Sequence, residues 1–207
     1  MLDGVGILIT IYFIHDQFEF SAIKRFSYWI IPIFTCYEFV TTFKWSTLNG
    51  LLLSGIVVFA YFVSRYQAMH TRIRLEETAT TYFHDAAGQE VPIYRKVVTA
   101  QGGRHYLYGW LMVIGMQLLI EATYLHEHLT AHRVWTAFFE EIMADVLSFY
   151  RFASADSHTS WIIWALTAAT SLGYTLWLAH RSPAARRTLF NQMAFTRVAE
   201  EEDQPKR

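Results

Sequence analysis

The chain has 207 residues, of which 53% are hydrophobic and 17% aromatic, and its formal net charge is −1. A hydrophobic fraction this high is unusual for a water-soluble domain, and a net charge near zero gives no electrostatic basis for a nucleic-acid partner. The single cysteine, Cys36, excludes an internal disulfide and a Cys-x-x-Cys redox pair.

Five apolar segments follow one another along the chain. The third and fifth contain no charged residue over about twenty positions, the length that a helix needs to cross a hydrocarbon core of about 30 Å. The second contains Pro32 and Glu38, and the fourth contains Glu121 near its end. Because a backbone in lipid must satisfy its own hydrogen bonds, all five are predicted to be helices. The segments are residues 5–20, 26–43, 45–64, 106–125 and 159–179.

This pattern predicts an all-α membrane protein, with a bundle of five transmembrane helices in a single domain over residues 1–182 and a cytoplasmic tail at 183–207. In the loop at 65–104, a helical extension to Glu77 precedes strand-forming residues around a turn, which predicts a small cytoplasmic β-hairpin. In the loop at 126–158, apolar residues recur at three- and four-residue spacing, which predicts an external amphipathic helix.

Lysine and arginine residues are divided unevenly between the connections. Most lie between the first and second segments, between the third and fourth, and after the fifth, and only three lie in the remaining connections. The positive-inside rule places the richer side in the cytoplasm. The N-terminus is then outside and the C-terminus cytoplasmic. If the segment at 5–20 only lies on the membrane surface, four spans remain and the N-terminus is inside.

Several local features occur together in a recognisable order. They are a polar stretch at 15–25, a proline early in the second helix at 28–32, a basic segment at 65–74, a turn at 85–88 and a Gly-Gly entry to the fourth helix at 102–110. In this layout the chain resembles the CcdC-like bacterial membrane proteins over residues 4–121. The resemblance implies a multi-pass protein of the bacterial cytoplasmic membrane and an association with cytochrome c biogenesis. It carries over no catalytic residue.

A cluster of histidines follows the fourth segment. His128 and His132 are four residues apart, hence on one face of a helix, and His126 and Glu121 lie nearby in sequence. Imidazole and carboxylate groups bind Zn, Cu, Ni and Fe, so these four residues are candidates for an external metal or haem site. The alternative is a polar cap where a helix leaves the membrane, with solvated histidines.

Two glutamates, Glu38 and Glu121, are predicted to lie within or near the hydrocarbon region. An ionisable group at that depth costs at least about 2–3 kcal/mol, and it is a functional candidate for that reason. The pair could relay protons, bind a cation or pair with a histidine. Alternatively, both side chains reach water or are hydrogen-bonded inside the bundle.

The sequence contains no convergent catalytic set, which favours a non-enzymatic integral membrane protein. We expect an accessory, assembly or regulatory subunit whose partners are the lipid bilayer and a protein in the membrane, and not nucleic acid. Two alternatives stay open. One is a metal- or haem-handling protein that uses the histidine cluster, and the other is a small transporter or channel that uses Glu38 and Glu121.

Overall fold

The structure is a computed structural model, and it describes residues 2–84, 90–124, 130, 134–135 and 161–190. This described part contains six helices and three strands. In chain order they are α1 (Leu2–Asp16), β1 (Ser21–Ala22), α2 (Arg25–Thr42), α3 (Thr47–His70), β2 (Arg72–His84), β3 (Glu90–Gln101), α4 (Gly103–Thr123), α5 (Trp161–Arg181) and α6 (Pro183–Phe190).

The prediction of five transmembrane helices is wrong. Among the described helices, only α3 and α5 are long and apolar enough to cross a membrane by length and composition. With 15 residues, α1 is about 22 Å long, which is short of a hydrocarbon core of about 30 Å. The second helix contains Pro32 and Glu38, and α4 begins with the polar sequence Gly-Arg-His-Tyr. A three-stranded sheet accompanies the helices, so the chain is not an all-α five-span bundle.

The centre of the bundle is α5, which packs against α2, α3 and α4. Helices α3 and α5 run in the same direction. Ile56 and Ile162, in their first halves, belong to one core cluster, and Arg181 at the end of α5 reaches Thr71 just beyond the end of α3. The buried aliphatic side chains between these helices form the main apolar core.

Helix α4 is antiparallel to α3. The Gln67 side-chain amide near the end of α3 donates to the carbonyl oxygen of Tyr106 near the start of α4, at 3.1 Å. At the other end, the Tyr124 hydroxyl donates to the side chain of Asn49. Helix α2 is likewise antiparallel to α5. We call the end where α3 and α5 finish and α4 begins the sheet end, and the opposite end the far end.

An antiparallel sheet in the order β1-β3-β2 lies at the sheet end. Strands β2 and β3 pair from Arg72 opposite Gln101 to His84 opposite Glu90, and β1 pairs with the end of β3 through two residue pairs. The predicted helical extension to Glu77 is wrong. Residues 72–76 alternate charged and apolar side chains, which is the period of a strand, and the helix ends before them.

A second core cluster joins the sheet to the bundle. In it, Val98 of β3, Leu178 of α5 and Leu189 of α6 are almost fully buried. The Trp29 indole of α2 donates to the carbonyl oxygen of Leu189 at 3.3 Å. The start of α2, the end of α5 and α6 are therefore held against the sheet as one packed unit.

Parts of the predicted layout lie outside the described residues. The external amphipathic helix proposed for 126–158 is one of these, although Val134 and Trp135 within it are helical. Residues 183–190, which were assigned to the tail, form α6. The remainder of the tail is not among the described residues.

Candidate functional site

A cavity of about 270 Å³ opens at the sheet end of the bundle, between the first five helices. We call it the bundle cavity. Three tyrosines from different helices line it, Tyr28 of α2, Tyr106 of α4 and Tyr174 of α5. The rings of Tyr28 and Tyr174 are stacked with centroids 6.3 Å apart, and Tyr106 meets Tyr174 edge-on at 5.4 Å.

Hydrogen bonds fix the walls of the bundle cavity. The hydroxyl of Tyr174 lies 3.1 Å from Oγ1 of the buried Thr71. Oγ1 of Thr175 lies 3.3 Å from the carbonyl oxygen of Tyr28. Gly109 of α4 faces Gln67, and a Cβ at this glycine would collide with the Gln67 side chain. This close approach lets the Gln67 amide reach the α4 backbone.

The guanidinium of Arg181 ties the end of α5 to the end of α3. Its Nη1 atom donates to the carbonyl oxygens of Ala68, at 2.7 Å, and Thr71, at 2.9 Å. The last carbonyl groups of a helix have no partner within the helix, and a cation near them is favourable. Arg181 therefore both caps α3 and sets the position of α5 at the sheet end.

A second cavity, of about 200 Å³, lies where the sheet meets α3 and α4. We call it the basic pocket, defined by His70, Arg72, Arg104 and His105. The two imidazole rings are stacked with centroids 4.2 Å apart. No acidic side chain lines the basic pocket among the described residues.

The two histidines of the basic pocket are held by one tyrosine. His70 Nδ1 lies 2.8 Å from the carbonyl oxygen of Tyr66, and because a carbonyl only accepts, Nδ1 must carry the proton. The Tyr66 hydroxyl lies 2.8 Å from Nδ1 of His105. Loss of solvation, followed by the charges of His70, Arg104 and Arg72, lowers the pKa of His105. With two guanidinium groups and no acidic side chain in its described lining, the pocket is a region of positive potential.

Of the predicted site residues, the structure describes the side chain of Glu38 alone. Glu38 is half-buried in the second half of α2. Glu121 lies in the last turn of α4, where its side chain is not described, and His126, His128 and His132 lie outside the described residues. Among the residues that are described, no group of three or more His, Cys, Asp or Glu side chains is placed to hold a metal ion. The proposed metal or haem site stays a prediction.

Sequence reasoning did not identify the pairing of His70 with His105. The two residues are far apart in sequence, and each alone resembles a surface histidine. The register of the hairpin carries this information. Since Arg72 pairs opposite Gln101, the residues just before β2 and just after β3 lie close together. A hairpin predicted from residue 72 onward would have indicated that contact.

Comparison of the chain with protein-family models, with curated proteins and with solved structures finds no match. The resemblance to the CcdC-like membrane proteins therefore stays a prediction.

Proposed function

We propose that the protein is an integral membrane protein that acts without catalysis, through partners in the membrane. The observation that carries the membrane assignment is the exposure of α3. Only 22% of its most apolar 18-residue window is buried within the structure, against 56% for α5. A core helix of a water-soluble protein would be covered by other elements, whereas most of this window of α3 is left uncovered by the described part of the chain.

The distribution of polarity around α3 supports the same assignment. Leu51, Val58 and Phe62 are large apolar side chains on its exposed side, whereas Ser64 and Gln67 are polar and buried. Water-soluble monomers rarely expose contiguous apolar patches of more than a few hundred Å². Small and polar groups are favoured between helices in lipid because they allow close packing and hydrogen bonding. A bilayer around the helices is compatible with both the apolar outer side of α3 and its polar, buried inner side.

The direction of the helices sets the topology that we propose. Since α3 and α5 run the same way, the chain between them must return across the membrane. Helix α4 is antiparallel to both and contacts both, and we propose that it makes this return packed against them, although its composition alone does not mark it as a span. The sheet end holds nearly all the described lysines and arginines, and by the positive-inside rule this supports our proposal that it faces the cytoplasm. These residues are Lys24, Arg25, Arg65, Arg72, Arg74, Lys96, Arg104, Arg181, Arg186 and Arg187.

The sheet supports the proposal of a partner. Within the described residues, β2 pairs with β3 alone, and β1 covers β3 only at Thr99 and Ala100. The outer part of the hairpin is therefore a two-stranded ribbon, which is marginally stable by itself in water. A free strand edge can pair with another chain. We propose that this ribbon is the contact with a partner at the cytoplasmic face.

Membrane insertion can be tested by fractionation and cysteine labelling. In a Cys36→Ala background, Thr47→Cys reports on the far end and Arg186→Cys on the sheet end. We expect the protein to stay in the membrane pellet at alkaline pH. A membrane-impermeant maleimide should label the first cysteine in intact cells and the second only after lysis. A folded protein in the supernatant, or equal labelling of both cysteines in intact cells, would refute the assignment.

The partner can be tested by photo-crosslinking in membranes. A photoreactive amino acid at Leu75, which is exposed on β2, should give a discrete crosslinked product. The same group at Arg187, which is exposed on α6, is the matched control. Extraction in a mild detergent should retain the crosslinked protein. A chain that gives no product from Leu75 and migrates alone under mild extraction would contradict a partner-dependent role.

The bundle cavity favours a second function, the retention of a small molecule. Its three tyrosine rings offer apolar faces with polar edges, which suits an amphipathic ligand. Native mass spectrometry of the purified chain should detect a bound small molecule. Ser27→Trp at the exposed edge of the cavity should remove it, whereas Ser54→Trp on the outer side of α3 should not. A ligand-free wild-type spectrum would eliminate this second function.

A further inference from the structure

We propose that the basic pocket is a binding site for a phosphate group. It presents two guanidinium groups, from Arg72 and Arg104, and two imidazoles, from His70 and His105, around a cavity of about 200 Å³. Guanidinium forks match the geometry of phosphate oxygens and bind them through charge-assisted hydrogen bonds. This site lies apart from the ribbon and goes beyond the partner-dependent role proposed above.

The backbone holds the two halves of the basic pocket in register. Arg72 begins β2 and is paired opposite Gln101 near the end of β3, so the ends of α3 and β3 are fixed beside each other. Gly103 has φ of +61°, a left-handed conformation that favours glycine. Its N–H donates to the carbonyl oxygen of Gln17 at 2.7 Å. This bend places Arg104 and His105 beside His70 and Arg72 at the edge of the cavity, with the two imidazole rings in stacked contact.

The charges in the basic pocket are not balanced by the protein. Within the described part of the chain, no carboxylate forms an ion pair with Arg72 or Arg104. By contrast, Lys96 on the same sheet lies 3.9 Å from Glu77. Both guanidinium groups and His70 are exposed, so an anion can reach them from solvent. Bringing four basic groups together without a counter-charge is repulsive, and a bound phosphate relieves that repulsion.

The surroundings of the basic pocket fit two sources of the same group. Arg104, Tyr108 and Met112 follow one another at four-residue spacing on one face of α4, and all three are exposed. This face offers an apolar path for the acyl chains of a lipid whose headgroup occupies the pocket. A free phosphate would need the pocket alone. Only the lipid source depends on the membrane insertion that we propose.

Binding can be measured on the full chain purified in a neutral detergent. The first arm titrates inorganic phosphate at constant ionic strength, with chloride as the reference anion, and follows the melting temperature. The second arm compares capture by vesicles of phosphatidic acid in phosphatidylcholine with capture by phosphatidylcholine alone. Binding in either arm supports the site. Binding of inorganic phosphate would show that a free anion is sufficient. Binding confined to phosphatidic acid would show that the ligand is a lipid headgroup. Absence of binding in both arms overturns the proposal.

Matched charge removals locate the site. Arg72→Gln with Arg104→Gln should weaken binding at least about tenfold, because each change removes a charge-assisted hydrogen bond. Arg186→Gln with Arg187→Gln removes the same charge from exposed positions on α6 and should leave affinity unchanged. Circular dichroism and gel filtration check folding, and Arg104→Gln alone replaces the double variant should it misfold. An equal loss in the α6 control would show non-specific attraction and overturn the proposal.

The titration of His105 gives an independent readout. The groups that face its ring are His70 and Tyr66 of α3, Arg72 of β2, and Arg104 and Tyr108 of α4. Desolvation and, after it, the neighbouring positive charges lower the pKa of His105; a phosphate among these groups offsets the charges, so the pKa should rise when phosphate is added. NMR of labelled histidines, assigned with His105→Gln, measures it. An unchanged pKa at saturating phosphate would contradict binding in this pocket.

Discussion

Helices α3 and α5 are both long and apolar, and they lie side by side in the same direction, yet their surroundings differ. The most apolar window of α5 is 56% buried and that of α3 is 22% buried. Neighbours surround α5 on several sides, since it contacts α2, α3, α4 and α6. Similar composition therefore supports two different roles. One helix forms the protein core, and the other forms its boundary.

The polar residues of the two helices follow the same division. On α5, Thr167, Thr170 and Thr175 are buried, and the last two satisfy their hydroxyls with carbonyl oxygens one turn earlier. A hydroxyl that returns to its own helix can lie in an apolar interior without the cost of an unpaired donor. On α3, Ser54 makes the same kind of bond on an exposed face. Hydrogen bonding thus makes both positions compatible with an apolar environment.

The largest predicted difference between the helices concerns one substitution made in each. Leu166 of α5 is 1% exposed and Leu51 of α3 is 72% exposed. Leu166→Ala should lower the free energy of unfolding by about 2–5 kcal/mol, because it removes buried methyl groups and leaves a cavity. Leu51→Ala should cost well under 1 kcal/mol. Denaturant unfolding in detergent micelles measures both.

Equal losses for Leu166→Ala and Leu51→Ala would contradict the division into core and boundary. Such a result would mean that the outer face of α3 is covered by protein, for example by a second copy of the chain. Gel filtration of each variant at several protein concentrations distinguishes that case, because only a packed dimer would dissociate on Leu51→Ala.

A charge on α3 tests what covers its outer face. Val58 lies at the middle of α3 and is 57% exposed, and Leu75 on β2 is also 57% exposed. Val58→Lys should cost about 3 kcal/mol of insertion free energy, because a lysine at the centre of a membrane helix is unfavourable by that amount. Leu75→Lys should leave membrane insertion unchanged, because β2 lies outside the proposed membrane-spanning segments. The membrane-inserted fraction of each variant measures the difference.

The Val58→Lys experiment decides whether the outer face of α3 lies in lipid or in water. In a water-soluble protein, both lysines would lie on the surface and change stability by no more than about 0.5 kcal/mol. Equal membrane yields for the two variants would therefore place the outer face of α3 in water. That result would remove the proposed membrane role while leaving the contacts of α5 unaffected.

The contact that joins the two helices at the sheet end should have a smaller effect. Arg181→Gln removes a cation that bonds two carbonyl oxygens at the end of α3. We expect a loss of about 1.5–3 kcal/mol, the usual contribution of hydrogen bonds to a charged group. Arg186→Gln on α6 is the control, since it removes the same charge from a side chain that is exposed like Arg181. A thermal melt in detergent that shows equal shifts for both variants would show that Arg181 does not hold the helices together.

The sequence was sufficient to locate the five longer helices approximately and to predict a hairpin between α3 and α4, but it missed α6 and began the hairpin too late. Uncharged runs mark α3 and α5, and turn-forming residues between strand-forming ones mark β2 and β3. It was insufficient to decide which helices could cross a membrane. Helix α1 has 15 residues and is too short to span. The proline and glutamate in α2 and the polar start of α4 accompany an apolar character that is insufficient for a span by composition.

The sequence also could not predict the contacts between segments that are distant along the chain. Ser21 and Ala22 pair with the end of β3, and nothing local in that dipeptide indicates a strand. Likewise, the bundle cavity depends on tyrosines from three helices, each of which alone resembles an interfacial aromatic. The histidines that the sequence predicts as metal ligands, His126, His128 and His132, lie outside the described residues. The basic pocket, in contrast, appears only when the hairpin register is known.

The smallest predicted effect concerns one hydroxyl between the two helices. Thr71 is buried just after α3 and meets the hydroxyl of Tyr174 on α5 at 3.1 Å, while it also donates to the carbonyl oxygen of Gln67. Thr71→Val should cost about 1 kcal/mol, the net value of a typical hydrogen bond. Thr123→Val is the control, because that exposed hydroxyl bonds only the carbonyl of Leu119 one turn earlier.

A double-mutant cycle with Tyr174→Phe isolates the link between Thr71 and Tyr174. If the two hydroxyls are coupled, the double variant should lose less stability than the sum of the single variants, by about 0.5–1 kcal/mol. Strict additivity would mean that each hydroxyl is satisfied elsewhere, Thr71 by its own helix and Tyr174 by Tyr28. In that case, of these two contacts, only the hydrogen bonds of Arg181 would join the ends of α3 and α5. The two helices would then differ in their surroundings up to their last turn.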